Sequence, residues 1–343
     1  MKKYISILLF ILMMMPALLQ AETFAKTGTA GLQFLKLGID ARAIGMAEAY
    51  TAVTDDISSV YWNPAGLALN SQDQFLFSHT EWVADIRYEY MAASRVTSLG
   101  TFALSAGYLW MDWMDVYTEE SFEDPTGEQF TNSNLSLGLS YANEYTDKFS
   151  FGFTAKYLRE NLDEYSVNGV SVDIGSLYNT GWNNFTIGMS LRNFGPDLQY
   201  EIDNDGDDDY DEDPFDLIDN DGDGMIDEDG AEVPFKLPMN FSLGVAADLF
   251  RTDQHSLVGS LQLDNSVDRM ETYNLGAEYQ VGTFKLRAGN QFGLDAATFS
   301  AGFGLKIPTT FAIIDLDYAY TNMGDLSESF LKSPHRISLK FAF

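Results

Sequence analysis

The chain has 343 residues, no Cys, 25 Phe, 18 Tyr, and 51 acids against 20 bases, for a formal charge of −31. That sign excludes a nucleic-acid partner, and the missing Cys excludes a disulfide framework and a Cys-linked lipid anchor. Such aromatic content in a chain without long apolar runs fits alternate residues facing lipid and water.

Residues 1–21 read as a secretory signal: Lys2-Lys3, an apolar run from Ile5 to Met15, Pro16, then Ala21 before Glu22. The run is too short for a spanning helix, and no later stretch is long enough. The mature chain is expected to fold beyond the inner membrane of a bacterium.

Residues 22–73 are expected to form one unit. Its centre, Gly38 to Leu67, is rich in Ala and Gly, nearly devoid of Lys and Arg, and closes on Asn63-Pro64-Ala65-Gly66. Small residues at Ala41, Ala43, Gly45, Ala47, Ala49 and Ala52 let backbone approach backbone closely. A segment with so little bulk needs walls supplied from elsewhere. Reading FLKLGIDARAIGMAEAYTAVTDDISSVYWNPAGLA, residues 34–69 resemble the N-terminal hatch of FadL-type outer-membrane barrels, and the PorV/PorQ branch of that superfamily above all. The resemblance rests on Gly45, Ala49, Asp55-Asp56, Ser58-Ser59 and Tyr61-Trp62 preceding the Asn-Pro-Ala in this order. It implies a fourteen-stranded barrel in the outer membrane with a partly helical N-terminal plug.

From residue 74 onward the dominant period is two. Ile337, Leu339, Phe341 and Phe343 share one face, while Arg336, Ser338 and Lys340 share the other. The pattern recurs at Leu135/Leu137/Leu139/Tyr141, Phe149/Phe151/Phe153/Tyr157, Phe241/Leu243/Val245/Leu249, Tyr273/Leu275/Ala277/Tyr279 and Phe299/Ala301/Phe303/Leu305. A soluble sandwich would alternate too. Strands of about nine to twelve residues fit a tilted membrane span better than a sandwich. A polar face of Gly, Ser and Asn suits a barrel lumen, and the terminal Phe341 and Phe343 resemble a barrel insertion signal. The fold class is therefore all-β: a transmembrane antiparallel β-barrel over 74–343.

Fourteen strands are expected at 74–80, 85–96, 100–117, 129–144, 149–164, 170–179, 184–194, 239–250, 255–264, 270–281, 283–292, 297–307, 310–322 and 334–343. Turns after even-numbered strands are short and those after odd-numbered strands mostly longer, as in periplasmic turns against extracellular loops. A lumen of this width would leak if empty, and residues 22–73 are the block large enough to fill it. Trp62, Trp82, Tyr88, Tyr90, Trp110, Trp113, Tyr117, Tyr157, Trp182, Tyr318 and Tyr320 are expected in interfacial girdles.

Between the seventh and eighth strands, residues 201–232 hold 17 acids and no base. Asp203-Asn204-Asp205-Gly206-Asp207 returns sixteen residues later as Asp219-Asn220-Asp221-Gly222-Asp223, and the register continues through Asp211, Asp213, Asp227 and Asp229. Carboxylates at loop positions one, three, five and nine are what a hard cation requires, so this extracellular insertion is expected to bind Ca2+, with an affinity of about 10⁻⁴–10⁻³ M. The second copy, with Gly224 and Ile226, resembles an EF-hand-type or thrombospondin type 3 loop. Position twelve departs, being Pro214 and Gly230, and the first copy has Asp208 where the turn wants Gly.

The three histidines, His79, His255 and His335, lie near the ends of three different strands. No catalytic triad, phosphate loop or zinc spacing is present, so no enzyme is expected. Two functions remain. PorV-like work implies type IX secretion, in which the barrel captures or delivers cargo bearing a C-terminal sorting domain, with secretion machinery and cargo as partners. FadL-like work implies passive uptake of hydrophobic small molecules past a hatch that shifts at Asn63-Pro64-Ala65.

Overall fold

The structure, a computed structural model, describes residues 28–117, 125–163, 165–200, 234–294, 299–324 and 333–343. The strands are β1 (Gln74–Glu81), β2 (Arg87–Thr97), β3 (Gly100–Trp110), β4 (Met114–Asp115), β5 (Gln129–Phe130), β6 (Asn132–Thr146), β7 (Phe149–Leu162) and β8 (Tyr165–Asn179). They continue with β9 (Thr186–Phe194), β10 (Asn240–Arg251), β11 (His255–Ser266), β12 (Thr272–Val281), β13 (Phe284–Phe292), β14 (Phe299–Pro308), β15 (Ile313–Asn322) and β16 (His335–Ala342). All but β4 and β5 form one closed antiparallel barrel, so it has fourteen strands. Closure is made by β1 on β16, from Gln74 opposite Ala342 to Glu81 opposite His335. A two-layer sandwich is thereby excluded, because every ladder edge is paired to the next.

The alternation runs inside out relative to a soluble protein. Leu104, Leu139, Phe153, Leu275, Leu286, Phe303 and Ile337 are exposed on the outer wall, whereas Ser140, Thr154, Ser190, Ser242, Gln262, Asn274 and Ser338 are buried. Lipid is the solvent for the first set, and the filled lumen for the second. The longest connections, 111–131, 195–239 and 323–334, all leave one end of the barrel. Short turns such as Asp147-Lys148 and Gly282-Thr283 close the other end. By the rule that periplasmic turns are short, the first end faces outward.

Two expected strands change length. The third ends at Trp110, and beyond it Met114–Asp115 pairs with Gln129–Phe130 as a separate two-stranded ribbon. The sixth starts at Tyr165; Val167 within it is buried, and Gly169 leaves room for Leu198 of the β9–β10 connection.

The N-terminal segment lies inside the barrel. It has two single-turn helices, Ala41–Gly45 and Ser59–Trp62, and two 3-10 turns, Gln33–Lys36 and Pro64–Leu69. Helices this short are not stable by themselves; the wall holds them. Wall serines cap the first one, Ser338 Oγ accepting from Ala41 N at 2.7 Å and Ser78 Oγ from Asp40 N at 3.3 Å. In the extracellular half, Phe34, Leu35, Tyr61 and Trp62 pack with Tyr88, Tyr90, Leu109, Leu158, Val167, Leu198 and Leu237 in one apolar cluster.

Candidate functional site

The inner segment and the wall facing it form the site. Its focus is Asn63, which is fully buried and extended. Its Nδ2 donates to the carbonyl of Thr51 at 2.9 Å within the segment and to that of Ser176 on β8 at 3.1 Å. Its Oδ1 accepts from Ala65 N at 3.2 Å. Pro64 then opens the 3-10 turn, where the missing N–H costs nothing. Gly66 follows because a Cβ there would meet Ser59 Oγ at 2.5 Å. Asn63, Pro64, Ala65 and Gly66 thus come together as one turn bolted to the barrel.

The wall answers with glycine. Cross-strand pairs Gly152–Gly175, Gly188–Gly244 and Gly276–Gly289 lie directly opposite one another in their ladders. A Cβ on Gly152 or Gly175 would run into Pro64 and Asn63, and one on Gly188 into Thr51. On Gly244 it would approach Ala52 N at 3.2 Å, and on Gly289 Ala47 Cβ at 2.7 Å. Gly302 would bring its Cβ within 3.2 Å of Gly45 Cα. Small residues on the segment meet small residues on the wall, so the two backbones touch along an arc from β7 to β14.

Below this seat, toward the periplasm, charge takes over. Arg42 donates to Glu278 on β12 at 3.0 Å from both Nε and Nη2, and to Asp55 and Asp56 from Nη1. Lys340 on β16 reaches Asp40 at 2.9 Å and Asp56 at 2.8 Å. Arg287 ties Glu278 to Asp317 at 2.6 and 2.7 Å. Burial raises the Asp40 carboxyl above its ordinary value. For Asp56 burial acts upward too, but Lys340 and Arg42 outweigh it and hold that carboxyl below the usual carboxylate range. This network floors a cavity of about 460 Å³ lined also by Asp55, Lys285, Lys306 and Asp315. Sequence reading missed these pairs. The available signal was Arg42 as the lone base within Gly38–Leu67, and Lys340 on the polar face of the last strand.

Three expected girdle residues are instead inside. Trp62 is 1% exposed and donates from Nε1 to the Ile39 carbonyl at 3.2 Å. Tyr88 and Tyr90 take lumen-facing positions of β2, which alternates with period two, and pack edge-on to Phe34 and Tyr61. Trp113, Tyr117, Tyr157 and Trp182 are exposed. The histidines also have partners: His79 with Glu89, His255 with Tyr279 and His335 with Tyr318, each at 2.7 Å. Phe341 packs against Phe75 at 6.4 Å between ring centres, and Phe343, 61% exposed, donates its N–H to the Asp73 carbonyl.

Asp203, Asp205, Asp207, Asp211, Asp213, Asp219, Asp221, Asp223, Asp227 and Asp229 lie outside the described residues. No metal-binding cluster occurs among the described residues.

In fold the chain is similar to a Pseudomonas aeruginosa FadL homologue and to the CymD monoaromatic hydrocarbon channel. Each is 12% identical, with TM-score 0.54, over 89% of this chain and 98% of that one. The Pseudomonas putida toluene transporter TodX is similar at 12% identity and TM-score 0.51, over 87% of this chain and 96% of that one. No curated protein matches the sequence. The family described as type IX secretion system protein PorV matches residues 20–267. With most of the chain matched and a FadL-like closed barrel beneath it, this outer-membrane protein belongs to the PorV family of type IX secretion proteins.

Proposed function

We propose that the chain is a non-enzymatic barrel that captures, or delivers to the cell surface, type IX cargo bearing a C-terminal sorting domain. The observation that carries this reading, beside family membership, is a lumen occupied by the chain's own side chains. With the interior taken up, the extracellular loops are the surface left for cargo and secretion machinery. The test is the surface proteome of a strain lacking the chain. Cargo with the sorting domain is expected to leave the surface and accumulate in the periplasm, and unchanged surface display would sink the idea.

A second reading, passive transport of hydrophobic molecules, draws on the likeness to barrels described as hydrocarbon channels. On that reading the deletion strain loses uptake of a labelled aromatic hydrocarbon or fatty acid and keeps its surface cargo. Binding of Ca2+ by the two acidic repeats of residues 201–232 is proposed as a device that stiffens the surface insertion. Calorimetric titration with Ca2+, compared with a variant carrying Asn at Asp219, Asp221 and Asp223, tests it; equal heats from both would dismiss it.

A further inference from the structure

Beyond Trp110 the chain leaves the barrel wall. Trp110 faces Ser133 and Met114 faces Phe130, so Met111, Asp112 and Trp113 stand opposite only Thr131 and Asn132. The extra residue makes a bulge, which bends the strand and re-aims its side chains. Past it β4 and β5 run on as a ribbon, prolonged by Val116 N donating to the Glu128 carbonyl and Thr126 N to that of Val116, each at 2.9 Å. Its foot is fixed, because the Arg87 guanidinium lies 4.6 Å over the Trp110 ring and donates to Asp112 at 3.3 and 3.4 Å.

Met114 and Asp115 are neighbours on a strand and take opposite faces, yet both are exposed, so neither face of the ribbon rests on the barrel. Trp113, Met114 and Tyr117 are 64%, 50% and 55% exposed. An isolated two-stranded ribbon is marginal in water, and exposed clusters of such side chains mark contact surfaces. Charge decides what covers them. Residues 111–117 and 125–131 carry Asp112, Asp115 and Glu128 and no Lys or Arg. Acids set among the rings repel an anionic outer leaflet, to which surface-lying segments are drawn by Lys and Arg. A second copy would bring like charge to like charge in a chain of −31. A protein face of opposite sign is the complement that fits.

We propose that the β4–β5 ribbon is the docking surface for the cargo's sorting domain, and that it takes a face of that domain with Lys or Arg set around an apolar centre. The inference rests on the secretion reading. Trp113, Met114 and Tyr117 supply the apolar contact, and Asp112, Asp115 and Glu128 the charged rim. Gln129 Nε2 donates to Asp115 at 2.8 Å and holds that carboxylate in place. The bulge carries this surface off the wall, within reach of a partner that never enters the lumen.

The probe is the sorting domain of one exported protein of the same cell, made alone, labelled with a fluorophore and titrated against the full chain in detergent. Trp113→Ser combined with Tyr117→Ser should raise half-saturation at least about tenfold. Asp112→Asn combined with Asp115→Asn should raise it about threefold and flatten its rise with salt between about 50 and 300 mM. Both variants should keep the gel shift of the folded barrel, since the ribbon lies outside the barrel ladder. Native affinity in the variants overturns the inference and leaves the secretion reading standing. No binding by the native chain overturns it too, and the surface proteome of the deletion strain then judges the secretion reading separately. The chain has no Cys, so Gln129→Cys takes a single nitroxide. In liposomes that label should be reached by a water-soluble nickel chelate, and a label reached by oxygen alone would put the ribbon in lipid and overturn the proposal.

Discussion

Asn63 joins three partners through one side-chain amide. Its amide nitrogen donates to Thr51 in the segment and Ser176 in the wall, and its oxygen caps the following turn. Asn63→Ala removes all three bonds from a fully buried position and takes from the Ala65 N–H its acceptor. The expected loss is about 1–3 kcal/mol for the group left unsatisfied. It would be read as a lower temperature for the shift between folded and unfolded bands on unboiled gels. Gly175→Ala approaches the same contact from the wall, since its Cβ would overlap Asn63 Oδ1. Overpacking of this kind costs about 1–3 kcal/mol, and the double variant should cost less than the two singles combined, because both break one contact. The Asn-Pro-Ala-Gly turn was legible in the sequence as a motif. Its glycine partners were not, because each wall glycine also reads as an ordinary small residue of a polar face.

The inner segment is held as an element by two unlike devices, a backbone seat on glycine and an ionic latch near the periplasm. The latch is the part a single substitution can open. Lys340→Met leaves Asp40 buried without its cation and Asp56 with Arg42 alone, and breaking such a buried pair costs about 3–5 kcal/mol. Protease added from the periplasmic side of proteoliposomes should then cut the segment, while the barrel itself survives. Acid tests the same latch through Asp56. Its folded-state carboxyl lies below the ordinary 3.8, so its contribution is complete above that pH and is lost as pH falls below it. Asp40 works the other way, because burial raises its carboxyl and protonation there favours the folded state. The native chain should therefore lose protection as the pH falls from about 4 to 2, and Asp56→Asn should remove that loss. An unchanged acid profile in the variant would reassign the latch to Arg42 and Glu278 alone.

At the scale of the whole molecule, the fourteen strands make a cylinder with the segment before β1 packed inside it. Deleting residues 30–69 removes the glycine-seated segment, Arg42 and the segment's half of the aromatic cluster in one step. The deleted chain should open steady single-channel conductance in planar bilayers, where the intact chain should stay silent. Conductance of equal size from both would mean that the segment does not seal the lumen. Nothing in this experiment depends on cargo, so it separates the role of the plug from the proposed role in secretion.

The sequence by itself determined the strand number, their approximate limits, which face meets lipid and which end carries the long loops. All of these follow from a period of two and from turn lengths, which are local properties of the chain. It also marked residues 34–69 as a unit that cannot make its own core. Only the tertiary structure decided the rest. It joined β1 to β16, aligned three glycine pairs opposite one segment, and put Tyr88 and Tyr90 inside, because an aromatic ring near a strand end suits lipid or lumen equally well. Lys340 finds Asp40 across 300 residues, and Arg42 finds Glu278 across 236. Those partners are chosen by barrel closure and register, and no local pattern in the chain records them.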